Sequence, residues 1–177
     1  RSGGPIDPAD PAYCEQVRSE PGHVTIRRLN RSEFNNTVRD LLGTTLSPAD
    51  DFPADDESGD GFDNNGSILT VGNLLLEKYE TAARALSTEA LAAGSSARST
   101  FLDCDPAALG ETVCARDFAE RFGRRAFRRP LGADEVDRLV ALYENAKAEG
   151  ENHDDALALT MRAMLVSPSF IYRVEVG

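Results

Sequence analysis

The 177-residue chain carries a formal net charge of -11 and a pI near 4.6, which excludes general nucleic-acid binding because phosphate backbones attract basic surfaces. Its 41% hydrophobic and 28% charged residues describe a globular protein rather than a disordered one. No apolar run approaches the roughly 20 residues that a membrane span needs, and the length suits one good-sized core or two small ones packed together.

Residues 1–22, with RSGGPIDPADPAY and SEPG, are dense in proline, glycine and acid and read as a linker or tether. A chain that starts at Arg1 without methionine is expected to be a processed or excised form. HVTIRR, His23 to Arg28, is a short extended segment, too isolated to found a sheet. The first helix is expected over about Arg31 to Leu42 in LNRSEFNNTVRDLLG. Asn30 and Glu33 make a capping box, Leu29 and Phe34 a hydrophobic staple, and Gly43 a C-terminal stop. Asn35 and Asn36 are poor interior helix formers, so their amides either bond a neighbouring backbone or are tolerated surface residues.

From Ser47 to Ser67 the chain becomes SPADDFPADDESGDGFDNNGS, a long irregular acidic loop. Hard oxygen ligands on a glycine-flexed loop are what calcium requires, so Asp55, Asp56, Asp60, Asp63 and Asn65 are a candidate calcium set. DESGDG resembles the opening of an EF-hand loop, but Ser67 stands where its bidentate glutamate should be. The alternatives are a solvated loop, or one whose carboxylates face the arginines further along the chain. Thr70 to Ala93 is the longest periodic segment, on the order of 35 Å if wholly helical, and Gly94 to Thr100 is a loop.

Cys104 and Cys114 bracket a turn with Pro106 and Gly110, and a disulfide there would contribute about 2–3 kcal/mol. The alternative is a pair of reduced, buried cysteines; Cys14 is left without a partner. Only two histidines and no CxxC leave zinc without a ligand set. CARDFAERFGRRAFRRPL follows, an amphipathic helix with Arg121, Arg124, Arg125, Arg128 and Arg129 within nine residues. These arginines either bond carboxylates and helix-terminal carbonyls of the fold, or form an anion site for phosphate, haem propionate or an acidic partner. On the first reading Arg124→Ala and Arg125→Ala cost stability.

Pro130 ends that run. A helix from Gly132 to about Ala148 is closed by Gly150, and a last one covers about Asp154 to Val166. SFIYRVEVG follows as an apolar tail expecting something to pack against. The expectation is an all-α bundle of about five helices, divisible into a first helical domain over 23–98 and a second over 99–177.

RRLNRSEFNNTVRDLLG, GFDNN and KYETAARAL, followed by CARDFAERFGRRAFRRPL, EVDRLVALYENA and LVSPSFIYRVE, together resemble tandem domains of unknown function. Domains of this kind occur in planctomycete cytochrome-associated proteins and in myxobacterial secreted proteins. The resemblance spans Val24 to Glu175 and implies a larger exported parent protein, periplasmic, surface-bound or extracellular, with further domains. It also implies a c-type cytochrome as neighbour or partner.

No CxxCH is present, so a c-type haem would have to be supplied by a partner. His23, His153, Met161 and Met164 are the side chains that could ligate it, with the two methionines reading as core. Neither histidine belongs to a serine or cysteine nucleophile motif. Three readings follow. The first is a non-catalytic helical scaffold that docks on the remaining domains of its parent or on another subunit. The second is half of a redox site completed by another chain. The third is a calcium-dependent binder of polysaccharide or polymer.

Overall fold

The computed structural model describes residues 26–54 and 69–173. Strand β1 (Arg27–Arg28) leads into α1 (Arg31–Leu42), and a 3-10 helix (Pro48–Asp51) precedes α2 (Asn73–Leu91). Two single-turn helices, α3 (Arg98–Phe101) and α4 (Pro106–Leu109), lead to α5 (Glu111–Ala126), α6 (Ala133–Ala148) and α7 (His153–Leu165). A last turn, α8 (Pro168–Ile171), runs into β2 (Tyr172–Arg173). The fold is all-α. The five long helices are those the periodicity marks, and the single-turn helices are additions, too short for periodicity to reveal.

α1 forms where its caps place it. Asn30 Oδ1 accepts from Glu33 N at 2.8 Å while Asn30 N donates to Glu33 Oε2 at 3.1 Å, and Gly43 closes the helix at φ 64°. The two asparagines divide between the alternatives. Asn35 is buried, accepts from Ala49 N at 2.9 Å and donates to Asp50 Oδ1 at 2.9 Å, so it pins the 3-10 helix to α1. Asn36 stays at the surface and accepts from Arg39.

α2 packs along α7, and α5, α6 and α7 pack on one another pairwise. One continuous core joins them. Phe34 lies 5.1 Å from Phe52, 5.4 Å from Tyr79 and 5.9 Å from Phe170, ring centre to ring centre. Phe101, Phe118 and Phe122 form a second aromatic group in the same core, with Phe118 stacked on Phe122 at 5.5 Å. Arg162 on α7 bonds Glu80 on α2 at 2.7 Å, and Arg98 donates to the Leu91 carbonyl at the end of α2 and to Asp154 on α7. A smaller cluster of Ala119, Val136 and Val140 zips α5 to α6. Gly123 makes room there: a Cβ at that position would stand 2.8 Å from the Leu131 methyls.

Three expectations change. The Arg27–Arg28 segment does found a sheet, because β2 returns to it in antiparallel register, Arg27 opposite Arg173 and Arg28 opposite Tyr172. The apolar tail already has its packing partner, since Phe170 is fully buried and Ile171 is 3% exposed in the chain's own core. Arg98 to Thr100, expected in a loop, lie in the single turn α3, which buries Phe101.

Candidate functional site

Cys104 and Cys114 are joined in a disulfide, with Cα atoms 5.4 Å apart, so the segment before α5 is clasped to its first turn. At the same end of the helix, Glu111 meets Lys147 at 3.0 Å, and Tyr143 Oη stands 2.7 Å from His153 Nδ1. Burial pushes the Tyr143 phenol up to about 12, with the Glu111 carboxylate adding to the effect. Burial also holds the His153 imidazole below its ordinary value, against the opposing pull of Glu111 and Asp154. Lys147 and Arg98 reinforce the depression, and a cation at the first position of α7 would oppose the helix dipole.

A depressed histidine has a definite sign in stability. The unfolded chain takes up the proton first, so the contribution is fully present above about pH 6.5 and declines as pH falls through the unfolded value toward the folded one. Melting temperature is therefore expected to drop between about pH 7.5 and pH 5.5, and His153→Gln is expected to flatten that slope. An unchanged slope in the variant would assign the pH dependence to other groups.

The five arginines separate. Arg121 bonds Asp117 at 2.8 Å and lies 3.8 Å from Asp103, and Arg129 forms a two-bond fork with Glu135 at 2.7 Å. That fork, with the Gly132 amide, holds the Glu135 carboxyl at about 2. Arg125 reaches only the Thr100 hydroxyl at 3.4 Å, and Arg124 is exposed with no ion pair among the described residues. Arg128 stands at φ 58°, the left-handed turn that ends α5, and its Nη2 donates to the carbonyls of Phe170 at 2.9 Å and Tyr172 at 3.0 Å. Its guanidinium also lies 5.9 Å from the Phe170 ring centre. Although Arg128 is exposed as a residue, burial of its guanidinium and the neighbouring Arg173 charge lower its pKa.

The stability expectation for Arg124 and Arg125 is accordingly corrected and passes to Arg128, which holds the 168–173 segment against the end of α5. Arg128→Ala should cost about 1–3 kcal/mol, the usual range for bonds to a charged donor. Arg124→Ala and Arg125→Ala should stay within about 0.5 kcal/mol, as surface changes do. Urea titration of the three variants checks the ordering.

The acidic loop does not meet these arginines through the part of it that is described: Asp50 and Asp51 lie in the 3-10 helix, where Asp50 bonds Asn35 on α1. The calcium candidates Asp55, Asp56, Asp60, Asp63 and Asn65 lie outside the described residues, as do His23 and Cys14. Among the described residues no group of three or more His, Cys, Asp or Glu side chains is placed to hold a metal. Met161 and Met164 are fully buried in the core and cannot reach a haem held outside it, which removes them as axial ligands.

Around Arg128 the surface hollows on both sides. A cavity of about 780 Å³ is lined by Ile26, by Phe127, Arg128 and Arg129 at the end of α5, and by Pro168, Ser169, Tyr172 and Arg173 of the returning segment. A smaller one of about 350 Å³ lies between Arg125, Arg128 and Arg173 and the Leu29, Thr37, Asp40 and Leu41 side of the chain. Ile26 is 59% exposed. Sequence reasoning finds the helix side of this site and misses Arg173, Ile26 and Tyr172. Those residues lie in or beside the two-residue strands Arg27–Arg28 and Tyr172–Arg173, which carry no signal of their own in the sequence.

A helical module with a cationic, partly apolar trough at one end is what the fold and site define. Residues 27–92 match the family described as PSD3, protein of unknown function (DUF1587). Residues 114–175 match PSD5, protein of unknown function (DUF1595), so the two families stand in tandem on this chain. No curated protein and no solved structure matches. Among the described residues no helix is long and apolar enough to cross a membrane.

Proposed function

We propose that the chain is a non-catalytic helical scaffold and interaction module of a larger exported protein. The observation that carries this is the trough at the end of α5, where Arg125, Arg128, Arg129 and Arg173 share one open surface with apolar side chains on an otherwise acidic protein. Arginine beside apolar and aromatic side chains is a mixture enriched at protein interfaces. The disulfide supports an oxidising compartment, periplasmic, surface-bound or extracellular. The partners proposed are further domains of the parent polypeptide, or a c-type cytochrome beside which that parent works.

Sedimentation velocity of this chain mixed with the separately purified remaining domains of its parent tests the reading. A complex at micromolar concentration without a new visible absorption band is the expected result. Independent sedimentation would remove the scaffold role. A complex that gains a visible band would favour the second reading, in which Arg125, Arg128 and Arg173 hold an anionic cofactor supplied by the partner.

A further inference from the structure

The two hollows meet at the same pair of residues, Arg128 and Arg173, so they are the halves of one trough with a cationic ridge across its middle. All three side-chain hydrogen bonds of Arg128 leave from Nη2, so among the described residues its Nη1 and Nε donors have no partner. The Arg173 side chain makes no hydrogen bond or ion pair among the described residues; its backbone pairs with Arg27 in the sheet, and its charge acts at longer range on the Glu33 carboxylate. The nearby carboxylates are committed elsewhere, Glu33 to Arg27 at 2.6 Å and Glu135 to Arg129, and Asp40 sits on the α1 side of the smaller hollow. Two guanidinium groups therefore line the ridge, and no carboxylate bonds either of them among the described residues. Beside them Ile26, Phe127, Pro168 and Tyr172 offer an apolar seat.

We propose that this trough binds an extended acidic peptide segment of a partner, its carboxylates on Arg128 and Arg173 and an apolar side chain seated against Ile26, Phe127 and Tyr172. The proposal rests on the interaction-module reading and names the partner's chemistry. Guanidinium and carboxylate pair in a two-bond fork that fixes orientation as well as position. The net charge of -11 makes the rest of the surface unfavourable to an acidic segment, so the trough is where one can land. The trough is open, and a small molecule lying in it would leave much of its surface wet, whereas deep sites enclose most of a ligand. A strand-like segment crossing the ridge can use both hollows.

Fluorescence anisotropy with a fluorescein-labelled heptapeptide alternating glutamate and phenylalanine tests this on the full chain. Saturable binding is expected, weakened by added salt and abolished when glutamine replaces the glutamates. Arg173→Glu and Ile26→Asp, both at exposed positions, should each weaken it about tenfold or more, roughly 1.4 kcal/mol, with melting temperature followed in parallel. Absence of binding, equal binding of the glutamine peptide, or two correctly melting variants that bind as the parent does would overturn the proposal. So would self-association of the chain that Arg173→Glu dissolves, because the occupant would then be a second copy. The two readings fail separately. Association with the parent's remaining domains that is indifferent to Arg173→Glu sinks the trough assignment and leaves the module. Peptide binding without that association does the reverse.

Discussion

Phe34→Ala is expected to lower the stability of the entire chain by about 3–5 kcal/mol, the range for truncating a buried phenylalanine. Phe34 is 1% exposed, and its ring is the centre of a group to which Phe52, Tyr79 and Phe170 each contribute an edge or a tilted face. Collapse around the void is hindered, because Phe52 and Tyr79 already pack on each other at 4.9 Å and Phe170 is held from behind by Arg128. Phe170 comes from the segment matching the second family, while the other three rings come from the first. The cost should therefore appear in both halves at once. Urea unfolding followed by circular dichroism and by tyrosine fluorescence should give coincident curves in the parent and in the variant. A variant in which residues 114–175 melt unchanged while the first half unfolds early would show that the two families fold as separate units. A loss well under 1 kcal/mol would mean that the ring group is not the keystone its geometry makes it.

What the sequence makes legible here is local, and what it conceals is return. α1 can be read to its last residue because Asn30, Glu33 and Gly43 each act within one helical turn of the ends they close. The bounds of α6 follow from Gly132 and Gly150 in the same way, whereas α7 starts and ends one residue earlier than the apolar spacing places it, because Asn152 caps it through Asp155 N. The β1–β2 pair could not be read, since two residues per strand carry no periodicity and Arg27 finds Arg173 only after the whole bundle has closed. The same closure buries Phe170 and Ile171, which in isolation look like a surface awaiting a partner. For the arginine run, spacing alone cannot separate a paired cation from an idle one. Arg129 and Arg124 look alike in the chain and differ because Glu135 is reachable from one of them. The trough is illegible for that reason as well: Tyr172 and Arg173 of β2, and Ile26 beside β1, reach it only through the return of the strand.

Cys104→Ser is the second change with a large expected effect, a loss of about 2–3 kcal/mol from releasing the unfolded chain of a short loop constraint. The two cysteines lie 10 residues apart in sequence, and the loop they close contains α4 and the turn into α5. Cys104 is the better position to vary. It is only partly buried, whereas Cys114 is 1% exposed on the core side of α5, where a hydroxyl would add a desolvation cost of its own. Reductant supplies the internal control: dithiothreitol should lower the parent's urea midpoint to that of Cys104→Ser and leave the variant unmoved. The clasp also anchors the helix end at which Glu111 meets Lys147 and Tyr143 meets His153. Fraying there would let water reach the imidazole, so reduction should shrink the pH dependence assigned to His153 along with the midpoint. If the midpoint falls while that pH slope stays as steep as before, the clasp acts only by restricting the unfolded chain and the histidine pocket holds itself together. If neither moves, the bridge does not form in solution, and the inference of an oxidising compartment loses its support.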